Sequence, residues 1–129
     1  MTRHLLSMAD LDNAVQTALE LAARTQVPVM VFVGNAGCIQ IHSGTLSNLR
    51  WMGDWFNVLD PEFNLHLKTS GVVELWRVRK PSYDGIITSY EAFDAAGELV
   101  VQLFGARKPG IPELVEWRDL AETAAALEA

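Results

Sequence analysis

The chain has 129 residues, half of them apolar and a fifth charged, which is enough to bury a core without disulfide or metal staples and too apolar for a disordered segment. Ten Lys and Arg stand against sixteen Asp and Glu, a net charge of −6, and the absence of a basic block argues against nucleic acid and anionic membrane as partners. The one cysteine, Cys38, excludes an internal disulfide and any multi-cysteine zinc or iron–sulfur site, and points to a reducing, cytoplasmic setting.

The N-terminus lacks the order of a signal peptide. Residues 9–25 read as an amphipathic helix. Leu11, Val15, Ala18, Leu19 and Ala22 recur at helical spacing, with Asp12, Gln16 and Glu20 opposite. Ser7 or Asp10 is placed to cap it, and Pro28 stops it. The longest apolar run, residues 27–33, is interrupted by Pro28 and is too short to span a bilayer.

Residues 29–33 predict a strand covered on both faces. Residues 34–37 (GNAG) predict a turn, not a dinucleotide loop, since they lack the third glycine and lead into a strand. Residues 38–42 alternate, with Ile39 and Ile41 on one side and Cys38, Gln40 and His42 on the other. Residues 46–58 are aromatic-rich and their pattern is mixed. Residues 59–62 predict a turn, 63–68 an alternating strand, 72–80 and 86–93 two more. Residues 94–97 (DAAG) predict a hairpin turn into a strand over 99–104, which puts Gln102 and Phe104 on one face. A final helix is predicted from about Pro112 to Leu127, with Leu114, Trp117, Leu120 and Ala124 along one stripe. Together these predict an α+β fold: an antiparallel sheet of seven to nine strands flanked by N- and C-terminal helices, in one domain over residues 1–129.

Catalytic signatures are absent: the chain has no G-x-S-x-G elbow and no Walker loop. Cys38 and His42 cannot share a metal on a strand. Four residues apart they are about 13 Å from each other, whereas each zinc ligand lies about 2 Å from the ion. His42 and His66 read as packed or half-exposed polar residues. Trp51, Trp55, Phe56 and Trp76 form either core or an aromatic wall for a flat ligand or a partner. Lys80, Arg107 and Lys108 lie near strand ends, as solvated charges or as a clamp for carboxylates.

Four blocks, in order along nearly the whole chain, resemble the HemS/ChuS-type haem-utilisation family. They are residues 31–44 (VFVGNAGCIQIHSG), 55–67 (WFNVLDPEFNLHL), 79–85 (RKPSYDG) and 103–110 (LFGARKPG). The resemblance implies one half, the second, of a duplicated sheet-and-helix protein that takes up haem in the bacterial cytoplasm for its iron. It implies a haem pocket with Lys80, Gln102, Phe104 and Arg107 as binding residues, Lys80 and Arg107 on the propionates and Phe104 in ring contact where the family often has Tyr. The family's iron-ligating histidine lies upstream of the matched region, and His4, in the N-terminal tail, is not assigned that role, so the metal ligand is unknown. The expected function is a haem-binding carrier or reservoir in haem and iron transport. A haem-degrading enzyme and a haem-free dimeric module are the alternatives. Haem is the expected cargo, and a homodimer would restore by a true twofold the pairing of the duplicated halves.

Overall fold

The computed structural model describes residues 2–5 and 11–128. In chain order the elements are β1 (Thr2–Leu5), α1 (Leu11–Thr25), β2 (Val29–Asn35), β3 (Cys38–Gly44), β4 (Leu49–Met52), β5 (Trp55–Asp60) and β6 (Phe63–Lys68). After a 3-10 turn (Thr69–Gly71) come β7 (Glu74–Ser82), β8 (Gly85–Phe93), β9 (Leu99–Gly105) and α2 (Val115–Glu128). The α+β class is as expected. The strands, however, form two antiparallel sheets instead of one: a six-stranded sheet in the order β1-β7-β8-β9-β2-β3 and a three-stranded sheet in the order β4-β5-β6. The N-terminal tail is likewise a strand, since Thr2–Leu5 pairs along β7 from Arg79 to Trp76. The capping residues expected for α1, Ser7 and Asp10, fall outside the described residues.

Local chemistry sets the element ends. Gln26 adopts a left-handed φ of 57°, the usual conformation just past a helix. Its Nε2 donates to the carbonyls of Ala23 and Leu46, so it closes α1 and ties it to the segment that passes between the sheets. Both oxygens of Asp60 hold that segment: Oδ2 accepts from the Ser47 amide at 3.1 Å and Oδ1 from the Asn48 amide at 2.7 Å.

The two helices cover one face of the large sheet. Ala18, Leu19 and Ala22 of α1 and Trp117, Leu120, Ala121 and Ala124 of α2 share one buried cluster with Val29, Val31, Leu75, Tyr90 and Leu103. Phe56, Val58 and Leu67 bring the inner face of the small sheet into the same cluster. Trp117 is fully buried, and its Nε1 donates to the Thr88 carbonyl at 2.9 Å. It lies over Gly105, where a Cβ would come within 2.5 Å of the indole, so only glycine admits this contact. Tyr90 donates its hydroxyl to the Ala121 carbonyl at 2.6 Å. α2 begins at Val115, later than predicted, because the residue before that turn is used elsewhere. The buried Glu113 carboxylate accepts from the Thr88 amide, the Thr88 hydroxyl and Arg118 Nε, which fastens the start of α2 to β8.

Candidate functional site

The prediction that residues 29–33 are covered on both faces is corrected. Val29 and Val31 are buried under the helices, while Met30 and Phe32 are only part-buried and Val33 is exposed. Residues paired across an antiparallel ladder point to the same face, so the registers show what shares that open face. One row runs Trp76, Glu91, Gln102, Phe32, Ile41. The next runs Arg3, Val78, Ser89, Phe104, Met30, Ser43. Lys80 pairs with Ile87 one row further on and points the same way.

Three of the four residues expected at the site therefore meet on one surface. Gln102 and Phe104 stand two apart on β9. Lys80 lies two strands over and two residues along from Phe104, a Cα separation of about 12 Å from ladder spacings. Phe32 joins them, its ring 5.1 Å from that of Phe104 and edge-on to it. Phe32 was not among the expected residues. Its signal was the alternation of Met30 and Phe32 between buried valines, once one face is known to be uncovered. Arg3 is the other addition, with its guanidinium carbon 4.3 Å above the Trp76 ring.

The fourth residue, Arg107, sits just past the end of β9 and is engaged within the chain. Its Nη1 donates to Asp84 Oδ2 at 3.0 Å and to the carbonyls of Lys108 and Ile111, which ties the β7–β8 turn to the loop after β9. Lys80 is exposed and takes part in none of the four ion pairs among the described residues.

The open face is electrically graded. Glu91, beside Gln102, and Glu74 lie toward one end, and Lys80 lies at the other. A flat dianion on this face would turn its carboxylates toward Lys80 and its hydrocarbon edge toward Phe32 and Gln102. A cavity of about 250 Å³ opens at the Phe32 and Gln102 end, lined by Phe32, Val33, Ile39, Leu99 and Gln102 together with Glu98. A second cavity of about 400 Å³, lined by Thr2, Arg79, Pro81, Ile86 and Arg118, lies on the helix side. Both of its guanidiniums are already paired, Arg79 with Glu122 and Arg118 with Glu113.

The predicted aromatic set splits. Phe56 is core, Trp51 and Trp55 are about two-fifths exposed, and Trp76 lies on the open face. His42 stacks flat on Phe63 at 3.8 Å, and Cys38 is exposed on β3, so the pair stays apart as strand geometry requires. Among the described residues no three His, Cys, Asp or Glu side chains are grouped to hold a metal ion, and no helix is long and apolar enough to cross a membrane.

The family described as "Haemin-degrading HemS.ChuX domain" matches residues 5–124. This chain belongs to that family. It is 43% identical over 109 residues to "Hemin transport protein HemS" of Yersinia enterocolitica, covering 84% of this chain and 32% of that protein. Among solved structures it is 64% identical to apo-PhuS, "a heme-binding protein from Pseudomonas aeruginosa", with a TM-score of 0.87 over 94% of this chain and 34% of PhuS. It is 36% identical to ChuS, "an E. coli Heme Oxygenase", with a TM-score of 0.88 over 95% of this chain and 36% of ChuS. The chain thus spans about a third of the length of these HemS-family relatives.

Proposed function

We propose that this HemS-family chain binds haem on the open face of the six-stranded sheet and serves haem utilisation as a cytoplasmic carrier or reservoir. The observation that carries the reading is the convergence of Lys80, Gln102, Phe104 and Phe32 on one face that the helices leave uncovered. Phe104 and Phe32 give the porphyrin an apolar seat, Gln102 a polar edge, and Lys80 a cation for a propionate. Arg107 adds a second cation if it exchanges Asp84 for the other propionate. The names of HemS and PhuS, a hemin transport and a heme-binding protein, support the same reading.

Haem degradation is the second reading, favoured by the likeness to ChuS. A homodimer is also proposed. Strand β3 is a sheet edge with Ile39 68% and Ile41 54% exposed, a surface suited to a second copy. Sedimentation against protein concentration tests it.

The test of function is a hemin titration followed by the Soret band. A saturable shift that weakens about tenfold in the Lys80→Ala, Phe104→Ala double variant is expected, two lost contacts of roughly 0.5–1 kcal/mol each. Ascorbate-driven loss of the band that catalase does not prevent would move the assignment to an enzyme. A titration that never saturates would refute haem binding on this face.

A further inference from the structure

The outer face of the three-stranded sheet carries a histidine set up as a metal ligand, on the side of the molecule that the haem reading does not use. Asn57 on β5 is buried although it points outward, only 3% exposed. Its Nδ2 donates to two carbonyls, those of Arg50 at 3.1 Å and Trp55 at 3.3 Å. The amide is thereby oriented, and Oδ1 faces Nδ1 of His66 at 2.6 Å. An oxygen there requires Nδ1 to carry the proton. The neutral ring then presents its Nε2 lone pair away from Asn57. A ring whose second nitrogen donates to a fixed carbonyl is the arrangement metal-ligating histidines use.

What surrounds that ring limits the metal. His66 is exposed, and with Asn57 it lines a cavity of about 450 Å³ whose other walls are Met52 and Trp55. A bare ion needs several protein donors, and the described residues offer no cluster of three. A metal that brings its own four equatorial nitrogens needs one. The shelf of Met52 and Trp55, 57% and 42% exposed, suits a flat hydrocarbon. The registers put a cation at each side of it on the same face: Arg50 in the row of Asn57 and His66, and Lys68 in the row of Met52 and Trp55. Neither belongs to any of the four ion pairs among the described residues.

We propose that His66 Nε2 is an axial ligand for the iron of a haem seated on Met52 and Trp55, with Arg50 and Lys68 on its propionates. The choice of haem rests on the preceding reading, but the site is separate. The experiment therefore uses the Lys80→Ala, Phe104→Ala variant, in which binding at the first face is expected to be about tenfold weaker, so that the phase at His66 stands apart from it. Hemin titrated into it is expected to give a saturable phase with the resonance Raman signature of an imidazole-ligated haem. Adding His66→Gln should weaken that phase about tenfold or more and remove the signature. Metal-free protoporphyrin IX, which has no iron to ligate, should bind equally with and without His66. Adding Arg50→Ala and Lys68→Ala should weaken both porphyrins. His66 is exposed, and far-UV circular dichroism checks that the variants stay folded. An unchanged hemin titration and Raman spectrum on His66→Gln would overturn the proposal. So would an equal loss of the metal-free porphyrin. Failure of the first reading is a different result: a wild-type titration insensitive to Lys80 and Phe104.

Discussion

Arg107→Ala is expected to destabilise the fold, and Lys80→Ala is not, although both residues are assigned to the same ligand. Arg107 Nη1 donates to Asp84 Oδ2 at 3.0 Å, to the Ile111 carbonyl at 3.1 Å and to the Lys108 carbonyl at 3.3 Å. The same Asp84 oxygen accepts from the Gly110 amide at 3.2 Å. Both side chains of the pair are 22% exposed. An exposed ion pair contributes about 0.2–1 kcal/mol. Partial burial and charge-assisted bonds to two carbonyls raise the loss to about 1–2 kcal/mol. In a chain of this size that is a fall in melting temperature of about 3–8 °C. Lys80, solvated and outside the ion pairs, should stay within about 0.5 kcal/mol of wild type. Thermal unfolding followed by circular dichroism makes the comparison. Asp84→Asn should reproduce most of the Arg107→Ala loss, and the double variant should lose less than the sum of the singles, because one contact is removed twice. Asp84→Asn should also retain hemin binding, since it frees the guanidinium instead of deleting it. Wild-type melting in Arg107→Ala, or additive singles, would refute the tether.

Gly105→Ala should cost about 1–3 kcal/mol by driving a methyl into Trp117, read as a lower urea midpoint at unchanged slope. Glu113→Ala should cost about 3–5 kcal/mol and speed hydrogen exchange at the Thr88 amide, which loses a buried charged acceptor at 2.6 Å. Tyr90→Phe should cost about 0.5–1.5 kcal/mol through the lost hydrogen bond to the Ala121 carbonyl, which keeps its bond within α2, measured by chemical denaturation. Hemin affinity should fall about 2- to 30-fold between low salt and 1 M salt if Lys80 and Arg107 hold the propionates; an affinity that is flat or rising with salt would count against them.

The strands from β7 to β9 were legible because alternation and turn chemistry agreed there. Residues 94–97 give a hairpin in which Asp94 Oδ1 accepts from the amides of Ala96 and Glu98, and Gly97 takes the positive φ. That local pattern also put Gln102 and Phe104 on one face. The division into two sheets was not legible. It depends on where the segment around Leu46 is anchored, and its partners are distant in sequence: Asp60 and the Gln26 side chain. Strand β1 was hidden for a similar reason, since a four-residue strand gains its stability from the β7 backbone and not from its own pattern. Arg107 was legible as a cation near a strand end, but its engagement with Asp84 spans 23 positions and is invisible to spacing. His66 gave the weakest signal. An alternating histidine reads as a half-exposed polar residue until the buried amide of Asn57 opposite it is seen.

How a net charge of −6 is compatible with the proposed binding of an anion follows from where the carboxylates go. Arg77 and Arg79, which face the helices, share the single carboxylate of Glu122, while Arg118 pairs with Glu113 and Arg107 with Asp84. These pairs fasten α2 and the loops, and they consume the cations that a ligand would otherwise find there. Among the described residues, Arg3 and Lys80 on the open face of the large sheet, and Arg50 and Lys68 on the outer face of the small one, stand outside those pairs. Each of the two faces thus combines aromatic or sulfur-bearing side chains with cations outside the four ion pairs among the described residues: Phe32 and Phe104 on one, Met52 and Trp55 on the other. A sheet packed on one side by helices must leave its other side to solvent or to a ligand. On the large sheet Glu74 and Glu91 share the open face with Arg3 and Lys80, so a flat apolar dianion would be drawn to the Lys80 end and repelled from the acidic one.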